Sequence, residues 1–215
     1  MKNFFKELLN SEHTLAGEYL EKFEYPWQAL KGLKEFISSL GETLKSDEYD
    51  EIYPKVWVHK SAQIADSARI NPPCIIGENS EVRHCAFIRG SALIGANCVV
   101  GNSTELKNCI LFDRVQVPHF NYIGDSILGF CAHLGAGAIT SNVKCDKSAV
   151  EVNGLNTNLK KFGAVVGDFV EVGCNSVLNP GTVIGRNTFV YPLSCVRGII
   201  GADSIFKNGL TVKKR

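Results

Sequence analysis

Residues 58–112, VHKSAQIADSARINPPCIIGENSEVRHCAFIRGSALIGANCVVGNSTELKNCILF, carry a branched or bulky apolar side chain at every sixth position: Val58, Ile64, Ile70, Ile76, Val82, Ile88, Ile94, Val100, Leu106 and Phe112. Four residues after most of these stands a small side chain, as at Ala62, Ala68, Cys74, Ser80, Ala86, Ala92, Cys98 and Thr104, while Gly77, Gly95 and Gly101 directly follow the apolar residue. A period of six fits neither the roughly 3.6-residue turn of an α-helix nor a simple alternating hairpin. It fits a coil with three short faces, each adding one apolar side chain to a central stack, at about 18 residues per turn. Glycine after the aliphatic residue suits a bend where a Cβ would restrict the backbone.

Further along the chain, Ile123, Leu128 and Leu134 continue the pattern after a one-residue slip, and Val166, Val172, Leu178, Ile184, Val190 and Val196 resume it. The expected architecture is therefore mainly β: a left-handed parallel β-helix of hexapeptide repeats over residues 56–205, with an N-terminal α-helical extension over 1–55 and a basic C-terminal tail over 206–215. Residues 141–161, rich in Asn and Lys, break the period and read as a loop ejected from the coil, a functional candidate because long loops are uncommon in compact domains. In the extension, Leu15, Tyr19, Leu20 and Phe23 share one helical face. Trp27, Leu30, Leu33, Phe36, Ile37, Leu40 and Leu44 form a second amphipathic segment that Pro26 is placed to open. These helices have too little area to bury themselves alone, so they are expected to pack on the β-helix or on a neighbouring subunit.

Composition narrows the function. The 215 residues are 45% hydrophobic, enough for one principal core. No apolar run approaches the roughly 20 residues of a membrane span and no basic stretch leads into an apolar core at the N-terminus, which reads as a soluble cytoplasmic protein. The eight cysteines show no CxxC pair, and Cys74 and Cys98 fall where the repeat wants a small apolar residue, which reads as reduced packing cysteines. A net charge of +1 points to no nucleic acid. The charge is uneven, however: residues 1–55 hold seven Lys/Arg against eleven Asp/Glu, so the remainder is net basic by five, which suits phosphorylated ligands.

Within the period lies VPHFNYIGDSILGFCAHLGAGAITSN, residues 117–142, holding His119, Tyr122, Gly124, Asp125, Gly135, Ala136, Gly137 and Asn142. This order resembles the C-terminal acetyltransferase domain of the bifunctional bacterial enzyme that makes UDP-N-acetylglucosamine, the glucosamine-1-phosphate acetyltransferase. The resemblance spans roughly residues 75–210 and extends upstream to Arg89 and to Lys107 within GNSTELKN at 101–108. It implies a homotrimer, with each site between neighbouring β-helices, that takes acetyl-CoA and an amino sugar phosphate in nucleotide-sugar metabolism. His119 would be the general base. Arg89 and Lys107 would meet the sugar phosphate, and Tyr122, His133, Asn142 and one of Lys144 and Lys147 the rest of the acceptor. Ala136, Asn142, Cys174, Arg197 and Lys207, with the tail residues Lys213, Lys214 and Arg215, would serve acetyl-CoA.

The chemistry agrees with these roles. Acylating an amine requires its neutral form, so a base beside it comes first, and His suits that task near neutrality. The oxyanion needs donors, for which the backbone N–H groups of the 135–137 turn, with Tyr122 or Asn142 nearby, are the expected sources. No metal is required. The sequence departs from the family on the acceptor side: His133 replaces a sugar-contacting Asn, and Asn142-Val143-Lys144-Cys145 replaces Asn-Tyr-Asp-Gly, which leaves the sugar open. On the cofactor side Pro192 supplies no N–H.

Other readings stand beside this one. Arg89 and Lys107 also read as solvated surface charges, and the β-helix as a non-catalytic trimeric scaffold or regulatory binder related to sugar nucleotidyltransferases. A γ-type carbonic anhydrase needs three histidines converging on zinc, whereas His119 and His133 are 14 apart and the close pair is missing. Residues 1–55 contain nothing that could form a nucleotide-holding glycine-rich loop, so uridylyl transfer is not expected.

Overall fold

In a computed structural model that describes residues 4–214, the repeat winds into stacked parallel coils, a left-handed parallel β-helix. Each coil contributes three short strands, and every strand pairs with its equivalent one coil away. Val58 lies opposite Ile76 and Ile76 opposite Ile94, so the first coils hold 18 residues. Ile94 pairs with Leu111 and Leu111 with Leu128, so the next two hold 17. One residue is therefore lost between Leu106 and Leu111, earlier than the hydrophobic period alone places the slip, and another between Ile123 and Leu128. Leu111 joins the stack, and Phe112 takes the corner position that Gly95 and Gly129 hold in adjacent coils, its N–H donating to Leu128 O as theirs donate to Leu111 O and Val166 O. Phe112 is nevertheless fully buried, which is why it mimics a member of the period.

The three faces are not equivalent. Two show a single buried residue flanked by exposed or half-buried ones, as at Glu81–Val82 and Phe87–Ile88. The third is buried throughout: Cys74–Ile76, Ala92–Ile94, Cys109–Leu111, Ala164–Val166 and Thr182–Ile184. Alternation along a strand sends the middle residue outward, so Ile75, Leu93, Ile110, Ile127, Val165 and Val183 form an apolar outer face. Apolar on both sides, this sheet needs a cover.

The N-terminal segment supplies that cover. A 3-10 helix, Pro26–Gly32, runs into an α-helix, Leu33–Gly41, with Pro26 at its start as the sequence suggests. Together they pack on the outer face through buried Trp27, Leu30, Leu33 and Ile37. Trp27 stacks on Tyr25 and lies 5.6 Å from the Phe162 ring. The first helical reading is corrected: only one turn forms, Gly17–Leu20, and Leu15 is exposed. The extension also ends as a strand, Tyr49–Tyr53, antiparallel to Val56–His59, because that segment completes the edge of the first coil.

A second tie holds residues 8–13. Buried Asp168 accepts hydrogen bonds from Asn10 N and Phe130 N and pairs with Arg186 at 3.0 Å, while its own N–H donates to Leu8 O. Burial pushes its carboxyl above the usual range, against the downward pull of the Phe130 N–H and Arg186. The His13 ring stacks on Phe130 at 3.7 Å.

Two further hairpins interrupt the parallel order. Between Thr140 and Ala164 the chain leaves the coil and carries Glu151–Val152 against Leu155–Asn156, turning at Asn153-Gly154. At the C-terminus, Ser204–Lys207 pairs with Leu210–Lys213 around Asn208-Gly209, so the basic tail is a hairpin that continues the last coil. All four turn residues have positive φ, and Asn-Gly is the pair that such two-residue turns favour. Arg215 lies outside the described residues. All eight cysteines are free, but only Cys74, Cys98 and Cys109 are buried; Cys85, Cys145, Cys174 and Cys195 are exposed and do not serve as core packing. Burial raises all three buried thiols, Cys98 and Cys109 to about 12.

No helix among the described residues is long and apolar enough to cross a membrane. The dependence of the apolar face on its cover is measurable: Trp27→Ala should lower stability by about 3–5 kcal/mol in urea denaturation. A loss below about 1 kcal/mol would show that the helices only rest on the coil.

Candidate active site

Stacking converts sequence separation into columns. His119 pairs with Asn102, and the carbonyls of Asn102, His119, Ala136 and Cys174 accept from the N–H groups of Phe120, Gly137, Asn175 and Leu193 in turn. Each acceptor lies one coil beyond the last, so His119, Ala136, Cys174 and Pro192 stand in line along one edge. The residue after each, from Phe120 to Leu193, turns this corner with positive φ. His119 is exposed here, and among the described residues nothing hydrogen-bonds its imidazole.

The same hydrogen bonds revise the oxyanion donors. Gly135 N donates to Val172 O at 2.7 Å and Gly137 N to His119 O at 3.0 Å, so both are consumed by coil stacking. Ala136 N, between them, is the donor of this turn left without a partner among the described residues. It lies one coil from His119, roughly 4.8 Å along the stack. Asn142 is likewise occupied: its amide N–H groups go to Tyr122 Oη at 3.2 Å and to Asp125. The Tyr122 hydroxyl keeps its own proton, and burial, more than the Asn142 hydrogen bond can offset, holds it above its usual pKa as a neutral donor. Its ring and hydroxyl lie where a Cβ on Gly124 would stand, which accounts for the glycine.

At the opposite edge of the same face, Arg89, Lys107 and Gly124 stand one above another. Neither cation is free. Arg89 Nη1 reaches Glu105 Oε1 at 2.7 Å, and this hydrogen bond, then the charge of Glu105, raises the guanidinium further. Lys107 Nζ contacts both oxygens of Asp125, at 2.8 and 2.9 Å. Asn108 Nδ2 adds 2.8 Å to the same carboxylate, whose backbone carbonyl accepts from Gly163 N. Asp125 is buried, and its left-handed backbone makes the shortened corner. Four donors thus converge on one residue at the point where the ejected loop leaves and re-enters, closed by Phe162 N donating to Asn142 O.

The remaining sequence candidates separate. His133 binds Glu171 through Nδ1 at 2.7 Å, on the coil beyond Gln116. Cys174 and Lys207 lie on the His119 edge, Lys207 next to Pro192's level with its ammonium 4.7 Å from the Tyr191 ring. Arg197 lies on the other edge, four coils beyond Lys107 by register, roughly 19 Å at 4.8 Å per coil. It lines a cavity of about 550 Å³ with Lys144, which is held by Ser148 at 2.7 Å. Lys147 is exposed on the loop; Lys213 and Lys214 lie in the C-terminal hairpin, Lys214 over the Phe189 ring. Among the described residues no cluster of three His, Cys, Asp or Glu side chains could hold a metal. Asn108 was not legible as a site residue, because only the register brings it to Asp125.

The Asp125 junction is testable with an isosteric change that tolerates positive φ. Asp125→Asn turns an N–H₂ toward existing donors, and should cost about 1–3 kcal/mol while speeding tryptic cleavage at Lys144, Lys147, Lys160 or Lys161. Unchanged cleavage would separate the loop from this carboxylate.

No protein-family model matches the chain. It is 36% identical over 111 residues to the bifunctional protein GlmU of Methanococcus vannielii, covering 49% of this chain and 27% of that protein. Over 102 residues it is 30% identical to a bifunctional sugar-1-phosphate nucleotidylyltransferase/acetyltransferase of Sulfurisphaera tokodaii, covering 46% and 25%. Among solved structures, a single-residue variant of AntD, an N-acyltransferase from Bacillus cereus in complex with dTDP and coenzyme A, aligns with 19% identity over 74% of this chain and 83% of that one, at a TM-score of 0.43. The chain is therefore similar to bifunctional nucleotidylyltransferase/acetyltransferases over about half its own length and spans about a quarter of theirs.

Proposed function

We propose that this protein is an acetyl-CoA-dependent N-acetyltransferase acting on an amino sugar phosphate of nucleotide-sugar metabolism. The observation that carries the reading is the line His119, Ala136, Cys174 along one edge, with the unused Ala136 N–H one coil from the exposed imidazole. Adjacent places on the backbone ladder for a base and an oxyanion donor support a single reacting carbonyl between them. The similarity to proteins named as acetyltransferases supports the same chemistry.

In this mechanism the acceptor's neutral amine attacks the thioester carbonyl, and His119 takes the proton that the nitrogen sheds. The carbonyl oxygen, gaining charge, turns toward Ala136 N–H. Collapse of the tetrahedral intermediate forms the amide and releases the thiolate of coenzyme A, which His119 can reprotonate. Tyr122 offers its neutral hydroxyl to the sugar, steadied by Asn142. The pantetheine arm would run past Cys174 toward Lys207, four coils from His119, over a distance of the order of its own extended length.

The functional unit in this reading is a homotrimer. Phe120 and Leu193, 64% and 80% exposed, project from the edge that carries His119, where a neighbouring β-helix would cover them and orient the imidazole.

Thiol release from acetyl-CoA, measured against a panel of amino sugar phosphates, tests the reading. His119→Ala should lower turnover by about 10²-fold or more with assembly mass unchanged. Undiminished transfer in that variant would remove His119 as the base. Absence of any coenzyme A-induced thermal shift at millimolar concentration would replace the enzyme by a scaffold.

A further inference from the structure

Beside the Arg89–Lys107 column opens a second cavity, about 530 Å³, walled by three parts of the chain that are far apart in sequence. The covering helices contribute Lys31 and Lys34, the returning end of the ejected loop contributes Lys160 and Lys161, and the coil contributes Arg89, Ser91, Lys107 and Asn108. Leu30 and Leu159 supply its apolar lining. Phe162, immediately after the loop lysines, is packed on Trp27 of the helical segment, so the two lysine pairs are held on anchored elements.

The charges in this cavity fall into two groups. Arg89 and Lys107 are neutralised by Glu105 and Asp125, as described. Lys31, Lys34, Lys160 and Lys161 are exposed and, among the described residues, have no ion pair or side-chain hydrogen bond. The carboxylate in the lining that is not already committed is that of Glu35. Four uncommitted cations against one anion leave an excess of three positive charges, which repel one another until an anion enters. A phosphate monoester brings about two negative charges; a diphosphate brings about three when carried as a monoester and fits two facing lysine pairs better than one phosphate does.

We propose that this cavity is a binding site for the diphosphate group of a small molecule, with Lys31 and Lys34 on one side and Lys160 and Lys161 on the other. The N-terminal helices then have a second role besides covering the apolar face: they complete a ligand site on the coil. The Ser91 hydroxyl, without a partner among the described residues, is placed to donate to the same group. The assignment does not depend on acetyl transfer, since it concerns anion binding alone.

Titration calorimetry of the full chain with inorganic pyrophosphate tests it. Saturable binding is expected, weakening as salt rises and tighter than that of inorganic phosphate. Lys31→Ala/Lys34→Ala and Lys160→Ala/Lys161→Ala should each weaken it by at least about tenfold, with circular dichroism unchanged; Lys22→Ala, on the exposed surface outside the cavity, should not. No saturable binding at millimolar pyrophosphate, binding by either double variant as tight as that of the unaltered chain, or phosphate binding as tightly as pyrophosphate would overturn the assignment. Competition separates the sources: displacement of pyrophosphate by UDP identifies a nucleoside diphosphate, displacement by coenzyme A the cofactor. Displacement by neither would overturn a role in holding small-molecule diphosphates.

Discussion

Each coil must hydrogen-bond in register with the next, and the remaining features of the molecule follow from that requirement. Parallel pairing at a fixed spacing keeps the interior apolar residues stacked, and it also sets which exterior residues become neighbours. His119 meets Ala136 because a 17-residue coil separates them, not because of any direct attraction between their side chains. The same ladder that places the Ala136 N–H uses up those of Gly135 and Gly137. The candidate site and the scaffold therefore share one set of hydrogen bonds, and a change of coil length by one residue would reposition both.

Register has a cost at the corner where a residue is lost. Asn108 and Asp125 turn there with positive φ, a conformation most side chains avoid, and each does so beside polar partners. Asp125 gathers Lys107, Asn108 and Asn142 on its carboxylate, which compensates the burial of that charge. The consequence for recognition is direct. Cations that sequence resemblance assigns to a phosphate already have carboxylate partners, which moves the excess charge to lysines on the helices and the loop.

The apolar outer face explains the helices. A β-helix whose three faces all alternated would need no cover, but three consecutive apolar residues recur on one face, from Cys74–Ile76 to Ala164–Val166. Burying that surface draws in Trp27, Leu30, Leu33 and Ile37, and Phe162 joins Trp27 from the loop side. Packing thereby brings the helical extension, the coil and the loop around one cavity, three elements that no motif links.

Much of this was legible in the sequence. The six-residue period in 58–112 was enough to require a coil with three faces, since no other regular structure places one apolar residue inward at that spacing. The break after Thr140 marked the ejected segment, and the 117–142 motif singled out His119, Tyr122 and Asn142 as candidates. The Asn-Gly pairs at 153–154 and 208–209 also announced two hairpins, though in a sequence dominated by the period they passed as loop and tail. It took the folded coils to show which polar groups are already spoken for. Backbone hydrogen bonds between coils join residues far apart in the chain, Asn175 to Ala136 among them, and sequence spacing cannot say that Gly137 N–H is consumed, that Ala136 N–H is not, or that Asp125 holds Lys107. A local pattern records what each residue can do, whereas stacking determines what it has left to offer.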